Sequence, residues 1–428
     1  LPTASAFCWN IFPLFLHHKK SLRAMSKPFT FLCVATFFKG ADFIRTAKML
    51  GANVLVITKK SLEHEAWPRE SIDEFFYLEH DNNSPENMDM LREGLAYVMR
   101  SRKIDRVVSL DDFDVEKAAF LREEFRIPGM GQTTAKYFRD KLAMRMRAQE
   151  AGIPVPAFSA VFNDEEVNHY LGTVPGPWVI KPRSEASAIG IKKVHHAHDA
   201  WQVLHEIGSE RHLFLIEQFK PGDVYHADAI SNEGQTLFCR VSRYLAPPLD
   251  VAQGGGVFRT HTVEFGGEED KALQQLTSQV MDAFGMRYSA SHTEFIRCHE
   301  DGKFYFLETS CRVGGAHISE MVEYSSGINL WAEWAKVEYA QASGGSYTMP
   351  TAKNLYAGLV VSLSRYTHPD YSSFQDAELA WRLKKDQHIG LIITSDRRER
   401  VLELLDNYTR RIFEEFHASL PPKDKALS

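Results

Sequence analysis

Several familiar sequence signatures are missing from this chain of 428 residues. Its five cysteines are odd in number, scattered and free of any Cys-x-x-Cys pair, so neither a disulfide framework nor a zinc site is indicated. The Gly-x-Ser-x-Gly turn that presents a nucleophilic serine does not occur, and neither does the Gly-Lys-Ser/Thr end of a Walker A loop. These absences argue against a disulfide-stabilised secreted domain, a serine hydrolase and a P-loop enzyme.

An excess of positive charge is also missing. The chain carries 50 Lys and Arg against 56 Asp and Glu, a formal net charge of −6. Without a basic field, neither nucleic acid nor a membrane is expected as a partner, and an anionic ligand must be held by local cations. The 44% apolar and 25% charged residues are ordinary for a globular protein, and the length is sufficient for two or three domains.

Long apolar runs are equally scarce. The early stretch that ends in FLHHKK is too short to span a bilayer, and its basic residues follow it, which reverses the order of a secretory signal. We interpret residues 1–25 as an extension outside the fold. The extension has its origin either in upstream translation or in a targeting segment. The scattered cysteines predict a reducing compartment, and the cytoplasm is the expected location.

Regular structure begins with alternating strand and helix signals. FTFLCVAT at 29–36 and NVLVIT at 53–58 are apolar strand runs, and the segment between them has helical spacing and ends in Gly51. Such a strand, helix and strand form a parallel, right-handed unit. A further strand within 106–114 ends in acidic residues. We predict a doubly wound parallel-sheet α/β domain at 26–135, and the lack of Gly-x-Gly-x-x-Gly after its first strand argues against a dinucleotide.

The rest of the chain mixes strands and helices in α+β fashion. A helical segment at 135–152 ends at Gly152, and two prolines follow in IPVPAF, which marks a domain boundary. Strand signals then recur at WVIKP, LFLIEQF and FYFLETS, so a second domain is predicted at 136–340. A strand pair and a charged amphipathic helix indicate a small C-terminal α+β part at 341–428.

The first stretch whose residues suit ligand binding is VIKPRSEASAIG. An apolar strand ends in Lys181, and a loop of small residues continues to Gly190. Small residues let backbone amides approach an anion, and a lysine at the strand end adds a point charge for a phosphate. A solvent-exposed hairpin explains the same residues equally well, because glycine- and serine-rich loops are common.

The second stretch is a hairpin around Asp301-Gly302. A three-residue loop, with Gly302 in the left-handed conformation, would place Glu294 directly opposite Glu308. Facing carboxylates repel one another across a ladder, and a divalent cation that also binds phosphate oxygens would reverse the sign of this interaction. A two-residue turn would instead turn the two glutamates to opposite faces. An exposed polar strand end is the alternative to a metal site.

Two further segments carry polar groups beside apolar strands. Arg312 follows Glu308 by four residues and precedes a glycine pair. Its guanidinium suits a carboxylate or phosphate ligand, or else a structural pair with Glu308. In IEQFKPGD, Glu217 and Asp223 could bind an adenine edge and ribose hydroxyls, although a solvated strand explains Glu217 as well.

The order of these segments resembles the ATP-grasp superfamily. A small α/β domain comes first, then Asp140-Lys141 ahead of GIPVP, and then IKP with its small-residue loop, IEQF with a following GD, TEF and LETSCRVGG. Five motifs occur in the family's order across about residues 30–340. The resemblance implies two α+β subdomains with ATP between them, a lid at about 156–220 that closes over the phosphates, and Mg²⁺ or Mn²⁺ as the metal.

The resemblance also implies roles for particular residues. Lys141 and Lys181 are implied to act on the phosphates, and Arg312 to stabilise an acyl phosphate. The other implied positions are Ser184, Ser187 and Gly190 for the phosphate loop, Glu217, Gln218 and Phe219 for adenine, Asp223 for ribose, and Glu294, Glu308 and Ser310 for the metal. Ser310 stands where the family commonly has asparagine, and its hydroxyl can still ligate Mg²⁺ but is shorter.

Within the superfamily, the resemblance is to biotin-carboxylase-like ligases that join amino acids. Biotin carboxylase has residues for bicarbonate where Val313 to Ala316 stand here, so carboxylation is not expected. The implied activity is ATP-dependent ligation of a carboxylate to an amine through an acyl phosphate. Arg312, Gly314, Gly315, Arg259 and His317 are the predicted substrate residues.

Small-molecule carboxylates and amines are therefore the expected partners, with a homodimer as one option. Two alternatives stay open: a bicarbonate-using carboxylase, and a nucleotide-binding protein with weakened catalysis, for which only Ser310 argues. The sequence leaves open which carboxylate and amine react and how many metal ions bind.

Overall fold

The computed structural model describes residues 28–78, 85–185, 190–249, 251 and 255–419. The extension predicted at 1–25 lies outside these residues. The described chain forms three β-sheets, of four, eight and four strands. None of its described helices is long and apolar enough to cross a membrane.

The first sheet is parallel and has helices on both faces. Its strands are β1 (Thr30–Val34), β2 (Asn53–Lys59), β3 (Glu74–Leu78) and β4 (Arg106–Ser109), in the order β3-β2-β1-β4, and its helices are α1 (Ala41–Met49), α2 (Pro85–Met99) and α3 (Val115–Glu124). Because side chains alternate along a strand, Cys33 and Val54 pack on the α1 side, and Leu32 and Leu55 on the α2 and α3 side. The predicted doubly wound, parallel-sheet fold of this region is confirmed.

The second sheet is antiparallel and covered by two helices. Helices α4 (Gln132–Lys136) and α5 (Lys141–Glu150) lead into it, and its strands are β5 (Phe158–Ala160), β6 (Trp178–Pro182), β7 (Lys192–Val194) and β8 (Phe214–Gln218), in the order β5-β8-β6-β7. Helices α6 (Asp164–Thr173) and α7 (Ala197–Ile207) bury their apolar residues against it. We call this sheet, formed by β5 to β8, the lid sheet. It lies within the range predicted for the lid, 156–220.

The third sheet is antiparallel and has eight strands. They are β9 (Gly222–Asn232), β10 (Gln235–Tyr244), β11 (Phe258–Thr262), β12 (Ser289–Cys298), β13 (Phe304–Ser310), β14 (Tyr356–Leu363), β15 (Leu379–Arg382) and β16 (His388–Ser395), in the order β13-β12-β9-β10-β11-β14-β16-β15. Helices α8 (Glu268–Ala283), α9 (Ile318–Ser326), α10 (Leu330–Ser343) and α11 (Arg398–Arg411) pack against its strands. The strands after residue 341 therefore extend the same sheet as β9–β13.

The β12–β13 hairpin has the predicted strand pairing but not the predicted loop length. Glu294 lies directly opposite Glu308, as predicted, and Gly302 is left-handed with φ 68°. However, the loop has four residues, 299–302, because the Cys298 amide donates to the Lys303 carbonyl at 2.9 Å. The predicted three-residue loop is wrong, and a β-bulge farther along the hairpin restores the register.

The bulge leaves Leu307 without a ladder partner. The carbonyl of Leu307 accepts a hydrogen bond from Arg145 Nη1, and the amide of the preceding Phe306 donates to the Pro154 carbonyl at 2.8 Å. As a result, Phe306 is buried in the core beside Phe295. The Glu308 carboxylate then points to the opposite face of the sheet. The bulge therefore places the apolar Phe306 in the core and the acidic Glu308 in the cavity.

A buried ion pair joins the first domain to α10. Arg106 Nε donates to Glu338 Oε2 at 2.6 Å, and Trp334 Nε1 donates to the other oxygen of Glu338 at 3.2 Å. The ring of Trp334 also packs edge-on against Phe43 of α1, with ring centroids 5.1 Å apart. These contacts tie the parallel sheet to the helix that covers β9 and β12.

Candidate functional site

A cavity of about 760 Å³ lies between the lid sheet and one face of the eight-stranded sheet. Strands β12 and β13 form its floor, β6 and β8 form the lid wall, and Lys39 and Asp112 of the first domain close one end. The predicted residues that line it are Lys141, Lys181, Glu217, Gln218, Phe219, Glu294, Glu308, Ser310, Arg312 and Gly315. The structure thus brings together most of the positions that the motifs indicated.

Lys181 and Glu217 form the charged centre of the lid wall. The buried Glu217 carboxylate binds Lys181 Nζ with one oxygen and accepts a hydrogen bond from Arg145 Nε, at 2.9 Å, with the other. Burial raises the pKa of Glu217, but Arg145 and Lys181 together outweigh this effect and lower it. Burial also lowers the pKa of Lys181 to about 8, against the pull of Glu217. The Lys181 charge is therefore sensitive to mildly alkaline pH.

Lys141 is placed by the start of helix α5. Asp140 caps the helix by accepting a hydrogen bond from an α5 backbone amide at 3.0 Å, and it also pairs with Arg183 Nε at 2.9 Å. Lys141 Nζ then lies 2.8 Å from Glu308 Oε2 and 2.6 Å from the Glu185 carbonyl. Burial raises the pKa of Glu308, but Lys141 and Lys181 together outweigh burial and lower it.

Glu294 and Glu308 face each other on the cavity side of the ladder. Tyr244 donates a hydrogen bond to Glu294 Oε1 at 2.8 Å, and His292 Nε2 lies 3.6 Å from the same oxygen. Facing carboxylates destabilise a strand pair unless a cation lies between them, and Mg²⁺ combines carboxylate with phosphate oxygens. These donors, with the Ser310 hydroxyl two residues beyond Glu308, fit a divalent metal ion.

A buried hydrogen-bond network lies behind Glu294. Asp228 on β9 binds His226 Nδ1 at 2.7 Å and His292 Nδ1 at 2.8 Å, and His226 Nε2 lies 2.7 Å from Thr260 Oγ1. Burial lowers the pKa of His292, but the Asp228 and Glu294 carboxylates together outweigh burial and raise it to about 10. The three side chains approach closely enough to ligate a metal, yet their mutual hydrogen bonds already account for this spacing. We interpret the three side chains as a network that keeps the His292 imidazole positively charged beside Glu294.

Arg312 is held by a carboxylate from the first domain. Its Nε donates to Asp112 Oδ2 at 2.7 Å, its Nη2 binds the same oxygen, and its Nη1 donates to the Val313 carbonyl at 2.8 Å. Asp112 follows β4 at the carboxyl edge of the parallel sheet, 200 positions earlier. No hydrogen bond or ion pair joins Arg312 to Glu308 in the part of the chain that the structure describes, so the alternative structural pair is not formed.

The turn after Arg312 packs closely against the histidine network. A Cβ atom on Gly314 would lie 2.7 Å from Asp228 Oδ1 and 3.0 Å from His292 Nδ1, so a side chain does not fit there. Ala316 and His317 follow with φ of 51° and 66°. Consecutive left-handed residues other than glycine are strained, and such strain concentrates at functional sites. Gly314 therefore brings the turn after β13 against the network instead of lining the cavity.

Two predicted substrate residues lie away from the cavity. His317 Nδ1 is 2.8 Å from Glu320, and its ring packs against Trp381. Arg259 follows Phe258 on β11 and points to a separate cavity, where its Nη1 is 3.6 Å from Asp406 Oδ1. The structure does not bring either residue to the predicted metal site.

Part of the predicted nucleotide set also lies apart. Asp223 pairs with Arg243 at 2.7 Å, and this pair does not line the cavity among the described residues. Ser184 and Gly190 likewise stand outside the described cavity wall, whereas Glu185 belongs to it. Ser187 lies outside the residues that the structure describes.

Three site residues were not selected from the sequence. Arg145 lies four positions after Lys141, so both share one face of a helix, and this spacing is a usable signal. Asp112 follows a parallel strand at the edge where α/β sheets bind ligands, which is a second signal. Tyr244 has no comparable signal, because its contact with Glu294 depends on the order of strands in the sheet.

Comparison with known proteins supports the motif assignment. Residues 174–320 match the family model of the ATP-grasp domain. An L-arginine-specific L-amino acid ligase of Bacillus subtilis is 26% identical over 254 residues, which cover 57% of this chain and 60% of that protein. A D-alanine–D-alanine ligase of Neisseria gonorrhoeae is 20% identical over 188 residues, 44% of this chain and 61% of that protein. The chain thus spans about three fifths of the length of these curated relatives.

Solved structures match over nearly the whole chain. An L-amino acid ligase from Bacillus licheniformis has a TM-score of 0.70 at 16% identity and covers 93% of this chain and 100% of its own. The biotin carboxylase domain of a 2-oxoglutarate carboxylase from Hydrogenobacter thermophilus, in complex with MgADP, ADP and bicarbonate, has a TM-score of 0.66 at 16% identity and covers 92% and 91%. The predicted fold class is confirmed.

Proposed function

We propose that this protein is an ATP-dependent carboxylate–amine ligase. The premise is that residues 174–320 match the ATP-grasp domain and that the whole chain has the fold of an ATP-grasp ligase. The observation that carries the proposal is the facing pair Glu294 and Glu308 in a cavity that Lys141 and Lys181 also line. Phosphoryl transfer depends on positioning and on charge neutralisation, and this set of groups is suited to both.

ATP is proposed to bind between the lid sheet and strands β12 and β13. Lys141 and Lys181 would contact the phosphates, and the strand end from Glu217 to Phe219 would contact the base. Glu294, Glu308 and Ser310 would hold Mg²⁺ or Mn²⁺, which supplies neutralisation of phosphate charge when bound. Because Lys181 and Arg145 share Glu217, Arg145 can keep that carboxylate satisfied when Lys181 turns to a phosphate.

The proposed reaction has two steps. The substrate carboxylate oxygen attacks the γ-phosphorus, the bond to ADP breaks, and an acyl phosphate forms. An amine then attacks the acyl carbon, phosphate leaves with the former carboxylate oxygen, and the amine loses a proton. Arg312, fixed by Asp112, is placed to stabilise the charged intermediate, and closure of the lid would exclude the water that hydrolyses it.

The substrates are proposed to be amino acids, as the name of the Bacillus subtilis relative suggests. Away from the lid, the cavity continues across β9 and β10 to an apolar end formed by Pro247, Leu249 and Phe258, which suits a substrate side chain. The buried free thiols Cys33 and Cys311 accord with the cytoplasm as the proposed compartment. A homodimer stays a prediction.

A screen for ADP release tests the proposal, with MgATP and the standard amino acids offered singly and in pairs. We expect ADP and phosphate in equal amounts with particular pairs, and a product of the mass of the linked pair. ADP release that needs bicarbonate but no amine would favour the carboxylase alternative. Tight ATP binding without ADP release across the whole panel would favour a protein that has lost catalysis.

A further inference from the structure

Among the described residues, one oxygen of the buried Asp112 carboxylate makes no hydrogen bond of normal geometry. Arg312 places both Nε and Nη2 on Oδ2, whereas a paired fork would use both carboxylate oxygens. Oδ1 makes no hydrogen bond of normal geometry among the described residues, although Asp112 is only 6% exposed. A buried oxygen of this kind calls for an explanation, and an ion or water that completes it is the usual one.

The free oxygen belongs to the wall that carries the metal acids. Asp112 lines the same cavity as Glu308 and Ser310. Burial raises the pKa of Asp112, but Arg312, Arg139 and the Ser310 hydroxyl together outweigh burial and lower it. The charge of Asp112 in turn acts on Glu308. Asp112 therefore lies close enough to interact with both groups, and it reaches them from the turn that follows β4.

We propose that Asp112 is a third carboxylate of the metal site and completes the set formed by Glu294, Glu308 and Ser310. The serine side chain is short, and the turn after β4 brings the Asp112 carboxylate to the same cavity wall as Glu308 and Ser310. Hard divalent cations take several oxygen ligands, and a carboxylate can bind a guanidinium through one oxygen and a cation through the other.

Arg312 has a defined part in this arrangement. Its two contacts to Oδ2 fix the carboxylate plane and leave Oδ1 free for the cation. The same guanidinium offsets the negative charge of Asp112, so that a third carboxylate beside two others is tolerated. The proposal rests on the proposed function only in requiring that a divalent cation binds with the nucleotide.

Isotope labelling tests the contact directly. The protein is made with aspartate carrying ¹³C in its side-chain carboxyl group, loaded with Mn²⁺ and a non-hydrolysable ATP analogue, and examined by electron–nuclear double resonance. The other proposed ligands are glutamates and a serine, so a ¹³C coupling reports on aspartate alone. We expect a coupling in the wild type that disappears in Asp112→Asn. A wild type without the coupling, or a coupling that persists in Asp112→Asn, overturns the proposal.

Mn²⁺ titration in matched variants separates ligation from overall charge. Asp111→Asn removes the same charge one residue earlier, where the carboxylate pairs with Lys39 and does not line the described cavity. We expect Asp112→Asn to weaken Mn²⁺ binding by roughly 10-fold or more and Asp111→Asn by less than about twofold. Equal losses in both variants contradict ligation by Asp112. If Asp112→Asn does not fold, Asp112→Glu serves, and retention of the ¹³C coupling in it counts against the proposal.

This test is independent of the ligase screen. A protein that shows the Asp112 coupling but releases no ADP with any amino acid supports the metal proposal and overturns the proposed function. A protein that forms a dipeptide but lacks the coupling does the reverse.

Discussion

Arg145 and Asp112 each hold a charged group that the motifs had indicated. Arg145 binds Glu217, and Asp112 binds Arg312. The motif residues are recognisable because they follow apolar strands in a fixed order. Arg145 belongs to an earlier helix, and Asp112 follows a strand of an earlier sheet. The role of these two residues depends on tertiary contacts that sequence spacing does not specify. At the residue scale, a sequence therefore predicts ligand-facing groups more readily than the groups that position them.

Replacing Glu308 by glutamine should abolish ADP formation and leave the fold intact. The change preserves shape but removes one of the two facing charges, so we expect activity to fall by about 100-fold or more. ADP release and circular dichroism are measured together. Glu300→Gln, on the exposed loop of the same hairpin, is the control and should keep its activity. Unchanged turnover in Glu308→Gln would falsify the metal assignment.

Nucleotide affinity should decline at mildly alkaline pH. Burial lowers the pKa of Lys181 to about 8, so its positive charge is lost as the pH rises through that value. We expect the Kd for MgATP to rise by about tenfold, or about 1.4 kcal/mol, between pH 7.5 and 9.5. Lys181→Arg should flatten this profile, because arginine keeps its charge throughout. A flat wild-type profile would show that Lys181 does not contact the phosphates.

At the element scale, the β12–β13 hairpin marks the limit of prediction from sequence. Its apolar runs and Asp301-Gly302 correctly predict the hairpin, the left-handed glycine and the facing glutamates. The loop length was wrong, because a bulge and not the loop brings Glu294 and Glu308 together. The bulge depends on the Leu307 carbonyl and Arg145, 162 positions apart, and no local pattern reports such a contact.

The start of helix α5 offers a test at this scale. Asp140 caps the helix, pairs with Arg183 and precedes Lys141. Asp140→Asn keeps a good capping group, whereas Asp140→Ala removes it and should lower the free energy of unfolding by about 1 kcal/mol more than Asn does. Urea unfolding measures this difference. Equal unfolding midpoints for the two variants would show that the cap does not stabilise the helix.

On the scale of the whole molecule, the order of the sheets explains why one cavity collects residues from distant segments. The first sheet supplies Asp112, the lid sheet supplies Lys181 and the eight-stranded sheet supplies Glu294 and Glu308. The strand and helix order of the first domain was predictable, because parallel units have local patterns. It was not predictable that the strands after residue 341 join the eight-stranded sheet. Pairing between strands that are distant in sequence produces no periodic pattern in the sequence. The domain boundaries at 135 and 340 stay predictions.

The contact between the first domain and α10 should contribute strongly to stability. Glu338→Ala leaves Arg106 buried without its carboxylate, and we expect the free energy of unfolding to fall by about 3–5 kcal/mol. Lys336→Ala on the same helix breaks a partly exposed pair with Glu333 and should cost less than about 1 kcal/mol. Chemical denaturation compares the two. A loss below 1 kcal/mol for Glu338→Ala would mean that the buried pair does not hold the domains together.

Transfer of oxygen from substrate to phosphate tests the central claim most directly. An amino acid labelled with ¹⁸O in its carboxylate is supplied with MgATP and the amine that the screen identifies, and the released phosphate is analysed by mass spectrometry. A reaction through an acyl phosphate places one ¹⁸O atom in each phosphate, because the attacking carboxylate oxygen leaves with it. Phosphate that carries no label while the amide product forms would contradict an acyl-phosphate ligase.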